Sequence, residues 1–182
     1  MSFKEYRDPI YGFIGVEEVE QKVIDTPEFQ RLRHITQLGT SSFVYPSATH
    51  TRFEHALGTL QSSSDFFDSL IQAPGSLSLL GWDQAKRDLY RRLVRLAGLL
   101  HDVGHSPFSH AAEGLFVGDQ RHEDYTAELI METQVGHIID EVIGESMRDR
   151  VAAIAVAARG SEMMRCCPSY SPAISALIGS TT

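Results

Sequence analysis

Cysteine is nearly absent: the chain of 182 residues has two, and they are neighbours, Cys166 and Cys167. Pairing adjacent cysteines with each other is strained, so no disulfide framework is expected and a reducing cytoplasm suits the chain best. Long apolar runs are missing as well, since no stretch reaches the roughly 18 residues that a transmembrane helix needs; no membrane partner is expected. The N-terminus, MSFKEYRDP, carries charge but lacks the apolar centre of a secretory signal. Basic residues are outnumbered, 16 Lys and Arg against 24 Asp and Glu, for a formal net charge of −8. That balance argues against strong binding of duplex nucleic acid, while a small anionic ligand held by local cations or a metal stays compatible with it. Strand patterns, internal repeats and low-complexity segments are scarce. What is present, 42% hydrophobic and 22% charged residues, suits one globular domain with a sizeable core, and an all-α domain is expected.

In chain order, residues 7 to 16 (RDPIYGFIGV) are short, apolar and broken by Pro9, Gly12 and Gly15, which predicts a small N-terminal β-hairpin. Glu17 to Ile24 predicts a helical turn or two. Thr26 then caps a helix with Pro27 in its first turn; Phe29, Leu32, Ile35 and Leu38 are expected to face inward, and Gly39 to close it. Thr40 to Thr51, around Phe43, Val44 and Tyr45, reads as a loop crossing apolar surface. A helix from Arg52 buries Phe53, Ala56, Leu57 and Leu60 and gathers Arg52, His55 and Thr59 on a polar face. Gln72 to Trp82 is a linker, Phe116 to Arg121 a loop, and a helix begins near His122 with Tyr125, Leu129 and Ile130 apolar. Gly136 and Gly144 are expected to punctuate short helical segments. Val151 to Ala158 suits a buried helix, CCPSYSP is irregular, and AISALIGSTT opens another apolar segment.

The densest chemistry lies in Leu93 to Glu113, LVRLAGLLHDVGHSPFSHAAE. Leu89, Leu93, Leu96, Ala97 and Leu100 recur at helical spacing, so one face belongs in the core. His101 and Asp102 stand where that face ends, Gly104 offers a helix stop, and Pro107 forbids continuation. His105 and His110 follow. Three imidazoles and a carboxylate on a rigid apolar support point to a metal site or an acid–base site. The bland alternative for His101 and Asp102 is a pair at a helix C-terminus, where a cation is favoured.

His55 followed by His101-Asp102, with LLHDVGHSPFSH around the pair, resembles the HD-domain metal-dependent phosphohydrolases. RDPIYG, IDTPEFQRLRHITQLG, THTRFEHALG and RHED extend the likeness, in order, to the deoxynucleoside-triphosphate triphosphohydrolase branch of that family. The resemblance implies an HD-domain helical bundle whose metal is held by His55, His101, Asp102 and an Asp further downstream. That Asp follows an apolar segment similar to AISALIGS in the family, and the sequence stops at Thr182 before it. Residues 1–182 are therefore expected to be the N-terminal part of a single HD phosphohydrolase domain.

The resemblance also implies roles. Arg52 contacts substrate phosphates, for which a guanidinium is well shaped; the alternatives are a solvated charge or an ion pair with Glu54 or Glu28. His122 with Glu123 forms the catalytic pair, and His105 and His110 touch phosphates. For His110 the alternative is a bond that merely holds its turn, and Glu113 stands where relatives often carry Asp. Gln37 and Leu38 line the sugar and base side. Lys4, Asp25, Gln30 and Arg33 match a regulatory site where relatives bind an activating nucleotide between subunits, which implies a homo-oligomer; ordinary surface positions are the alternative. His34, His50 and His137 are expected to be structural or solvated. The cofactor is a divalent ion, with Fe, Mn, Ni, Zn and Mg all compatible with the donors. The expected activity is hydrolysis of deoxynucleoside triphosphates to deoxynucleoside and tripolyphosphate. Its rivals are an HD nucleotidase or phosphodiesterase acting on another nucleotide, and a silent nucleotide-binding or assembly module.

Overall fold

The first strands form the expected hairpin: β1 (Lys4–Asp8) pairs antiparallel with β2 (Gly12–Val16), Lys4 opposite Val16 and Asp8 opposite Gly12. Asp8 Oδ1 accepts from the backbone N–H groups of Ile10 and Tyr11 at 2.8 and 2.9 Å, and Gly12 takes φ +77°, which together make the turn. Alternation sends Ile14 and Val16 into the core and leaves Phe13 outside. In this computed structural model residues 4–73, 81–107 and 121–156 are described. His110, Glu113, Cys166, Cys167, residues 74–80 of the 72–82 linker, all but the last residue of the 116–121 loop, the CCPSYSP stretch and the final apolar segment lie outside them.

Helix α1 (Glu18–Ile24) starts with a capping box between Glu17 and Glu20, and α2 (Pro27–Gln30) with Thr26 Oγ1 accepting from Phe29 N–H. The expected run of helix to Leu38 does not occur. After Gln30 the chain tightens into a 3-10 turn, Arg31–His34, and Ile35 is extended at φ −115° and ψ 110°. Thr36 bridges Thr51, Gln37 N–H donates to His50 O at 3.1 Å, and Ile35 O accepts from Arg52 N–H at 2.8 Å. Ile35 and Gln37 thus give their backbone groups to residues further along the chain, and that wins over continuing the helix. Gly39, at φ +52°, closes nothing; it opens a 3-10 turn, Gly39–Phe43. Nor does the following loop cover apolar surface, because Phe43, Val44 and Tyr45 are 88, 73 and 61% exposed.

The remaining helices are α3 (Arg52–Gln72), α4 (Gln84–Leu100), α5 (His122–Glu132), α6 (Gln134–Ile143) and α7 (Met147–Val156). Gly144, at φ +144°, ends α6 as expected, but Gly136 lies within it. A Cβ on Gly136 would come within 2.2 Å of Ile130 O, so its bareness lets α6 fold back on α5. The described chain is therefore helical apart from one hairpin and one bridge. None of its helices is long and apolar enough to cross a membrane.

The core forms where α3 and α4 meet: Phe53, Ala56, Leu57 and Leu60 pack with Leu93, Leu96, Ala97 and Leu100, while Ile130 and Val151 come from α5 and α7. Full burial of each large aliphatic side chain contributes about 1.5–3 kcal/mol. Gly98 sets the approach of the two long helices, since a Cβ there would meet Ser63 Oγ at 2.2 Å and Thr59 O at 3.1 Å. A buried ion pair fixes the hairpin to them. Arg95 donates to Glu20 Oε1 and Oε2 at 2.6 and 2.8 Å, to Ser64 Oγ at 2.9 Å and to Gly15 O at 2.9 Å. Breaking such a pair from one side costs about 3–5 kcal/mol.

Candidate metal centre

The centre forms where the start of α3 faces the end of α4. Thr51 and Glu54 cap α3 reciprocally, so Arg52 and His55 fall in a fixed first turn. At the other side, His101 Nδ1 donates to Gly98 O at 2.8 Å. That bond directs the Nε2 lone pair away from α4, as a ligand requires. His101 Nε2 lies 3.3 Å from His55 Nε2 and 3.4 Å from Asp102 Oδ1, and His55 Nε2 is 3.7 Å from Asp102 Oδ2. Two imidazoles and one carboxylate thus converge with their donor atoms within 4.8 Å of one another, a group able to hold a metal ion.

Protonation favours that use. Burial lowers the pKa of His55, with the nearby His101 adding to the effect. Burial would raise the carboxyl of Asp102, but the hydrogen bond from His105 and the charges of His101 and Arg52 hold it well below the ordinary carboxylate range. A neutral imidazole and an ionised carboxylate are the forms that bind metal.

Arg52 is buried, and its Nη1 donates to Asp102 Oδ2. Among the described residues its ion pair is with Asp102, while Glu54 accepts from Thr51 and Glu28 from Gln134 Nε2 at 3.0 Å. A second donor group shares the same carboxylate: His105 Nε2 lies 3.4 Å from Asp102 Oδ1, and His122 completes it. The buried His105 ring is stacked on that of His122, and burial is the main cause of its lowered pKa. His122 Nδ1 is 3.4 Å from Glu123 Oε2.

Gln37 reaches this neighbourhood through the bridge beside Arg52; its Oε1 is buried and has no hydrogen-bond partner among the described residues. Leu38, next to it, is half-buried. The four residues matched to a regulatory site are joined in one chain of contacts. Lys4 Nζ is 4.0 Å from Asp25 Oδ2, Gln30 Nε2 donates to Ile24 O at 2.7 Å, and Arg33 Nε donates to Gln30 Oε1 at 2.8 Å. The Arg33 guanidinium also sits 3.5 Å over the Phe53 ring. His34, His50 and His137 are exposed.

Three residues at the centre had no role in the sequence pattern or a different one. Gly104, expected as a helix stop, instead allows close approach: a Cβ there would lie 2.2 Å from His122 O and 2.4 Å from Thr126 N. Thr126 Oγ1 accepts from Gly104 N–H at 3.0 Å and donates to His101 O at 3.2 Å. A fully buried hydroxyl one helical turn after His122 is the signal that could have found it. Arg31 donates to Val103 O and, at 2.8 Å, to His105 O.

The HD domain family model matches residues 52–169, a span that contains His55, His101 and Asp102. Over 146 residues the chain is 36% identical to the deoxynucleoside triphosphate triphosphohydrolase SAMHD1 of Gallus gallus, covering 77% of this chain and 23% of that protein. The Homo sapiens protein of the same name is 40% identical over 122 residues, covering 67% and 18%. YwfO of Bacillus subtilis, an uncharacterized protein, is 36% identical over 141 residues, covering 76% and 30%. The crystal structure of a hypothetical protein from Aquifex aeolicus superposes with a TM-score of 0.69 at 39% identity, covering 85% of this chain and 38% of that one. The chain thus spans less than a third of the length of these three sequence relatives. By the match over 52–169, the chain belongs to the HD-domain family.

Proposed function

We propose that the chain carries the metal-binding part of a hydrolase that cleaves deoxynucleoside triphosphates into deoxynucleoside and tripolyphosphate. The observation that carries this is the convergence of His55, His101 and Asp102 within a segment shared with proteins named for that activity. A divalent ion on these residues would act as a Lewis acid at the phosphates. The residues around it divide the remaining work. Arg52, exchanging Asp102 for substrate, offers a planar fork to phosphate oxygens. His105 and His110 contact phosphates. Water attacks the α-phosphorus in line, its oxygen staying with the tripolyphosphate as the P–O5′ bond breaks, and His122 protonates the departing 5′-oxygen, while Glu123, 3.4 Å from its Nδ1, orients the ring and balances its charge. Gln37, through its unpartnered Oε1, and Leu38 line the sugar and base side.

Product analysis tests the proposal. Incubation with each deoxynucleoside triphosphate and a divalent metal should yield intact tripolyphosphate and deoxynucleoside. Orthophosphate or a nucleoside monophosphate as the first product would assign the site to a nucleotidase or phosphodiesterase, and no turnover with retained nucleotide binding would make it a silent module.

The proposal extends to regulation: Lys4, Asp25, Gln30 and Arg33 form a site for an activating guanine nucleotide in a homo-oligomer. Their contacts through Ile24 and Gln30 support it. Sedimentation should show a gain in mass with guanine nucleotides that Asp25→Ala abolishes; identical profiles would leave these residues as surface positions.

A further inference from the structure

The turn from His101 to His105 holds two candidate ligands and a second imidazole, yet it is short and irregular. Within it Val103 N–H donates to Leu100 O at 3.0 Å and His105 N–H to Asp102 O at 3.1 Å, which leaves the carbonyls of Val103 and His105 to find partners elsewhere. Both find the same one. Arg31 Nη2 donates to Val103 O, and Arg31 Nη1 to His105 O at 2.8 Å, from a 3-10 turn more than seventy positions earlier in the chain. Thr126 holds the same turn through Gly104 N–H and His101 O.

We infer that Arg31 is a positioning residue for the metal centre: its guanidinium fork fixes the orientation of the turn that presents His101 and Asp102. The inference rests on reading those two residues and His55 as ligands.

One hydrogen bond would locate the turn, but two parallel bonds from one rigid plane also set its rotation. Rotation is what decides whether His101 Nε2 and the carboxylate of Asp102 point at His55. The side chain is also an unusual choice for mere packing. Arg31 is half-buried, and among the described residues no carboxylate pairs with it; burial lowers its pKa. Among the described residues the cation is held there by backbone carbonyls, just past the negative end of α4. Lysine has the charge and lacks the fork.

Cobalt(II) titration of the 182-residue chain tests the inference, because its visible spectrum reports ligand geometry together with affinity. Arg31→Met should keep the helical circular dichroism, weaken cobalt binding about 10–100-fold and alter the spectrum. Arg31→Lys should fall between it and the wild type. If a folded Arg31→Met binds cobalt within twofold of the wild type with the same spectrum, Arg31 merely keeps the fold and the inference is overturned, whatever happens to the melting temperature. Should Arg31→Met not fold, Arg31→Lys decides: wild-type affinity and spectrum would mean that the fork is not needed. The ligand assignment fails separately, and visibly, if the wild type takes up no cobalt or if His101→Ala leaves uptake unchanged.

Discussion

His105 and His122 lie ring on ring, their centroids 3.7 Å apart and their planes 18° from parallel. One ring belongs to the turn after α4 and the other to the first residue of α5, so the stack joins the metal group to the candidate general acid. Glu123 stands beside His122.

Replacing His122 by alanine should therefore affect chemistry more than binding. On the proposed mechanism the maximal rate falls by about two to four orders of magnitude with little change in KM. Steady-state kinetics with a deoxynucleoside triphosphate checks this; a near-normal rate would hand protonation to another group.

Removing the ligand pair should remove the metal. The double substitution His101→Ala and Asp102→Ala leaves His55 alone of the three, and elemental analysis of the purified chain should show loss of the transition metal carried by the wild type. Equal metal content in both would refute the assignment.

Gly104→Ala tests the packing beneath the site. Gly104 is not among the glycines at positive φ, so space alone decides, and the atoms that its Cβ would strike at 2.2 and 2.4 Å are backbone. Overpacking of this kind costs about 1–3 kcal/mol. A drop in melting temperature is expected, and an unchanged value would show that α5 can move away freely.

Acid should destabilise the metal-stripped chain earlier than carboxylate titration explains. Burial lowers the pKa of both His55 and His105, so the unfolded chain binds more protons as pH falls through the ordinary imidazole value of about 6.5. Stability is complete above that value and declines below it; Asp102, also lowered when folded, adds its loss only near pH 4 and below, about its unfolded pKa. Melting curves in chelator between pH 7.5 and 5 should fall steadily, and a flat profile would contradict the burial of these rings.

Much of the fold was legible because it rests on periodicity. Phe53, Ala56, Leu57 and Leu60 on α3 and Leu93, Leu96 and Leu100 on α4 declare their buried faces by spacing. The helix expected through Leu38 failed for a reason that spacing does not carry: Ile35 and Gln37 bond to residues at 50 and 52 across a bridge. Gly136 misled because a glycine that ends a helix and one that admits a neighbouring carbonyl look alike in sequence. Within the site, His55, His101, Asp102, His105 and His122 came from ordered motifs. Arg31 and Thr126 act on backbone atoms of a distant turn, and hydrogen bonds to backbone leave no mark on the residue types of the partner.

The ion pair between Arg52 and Asp102 gives the centre an electrical character opposite to that of the whole molecule. The chain carries a formal charge of −8, but in the floor formed by Arg52, Asp102, His55 and His101 the guanidinium already cancels the carboxylate. A divalent ion seated there leaves an uncompensated positive well, partly shielded from solvent, inside an acidic body. Against the acidic balance of the whole chain, that well is a local place of attraction for a small anion.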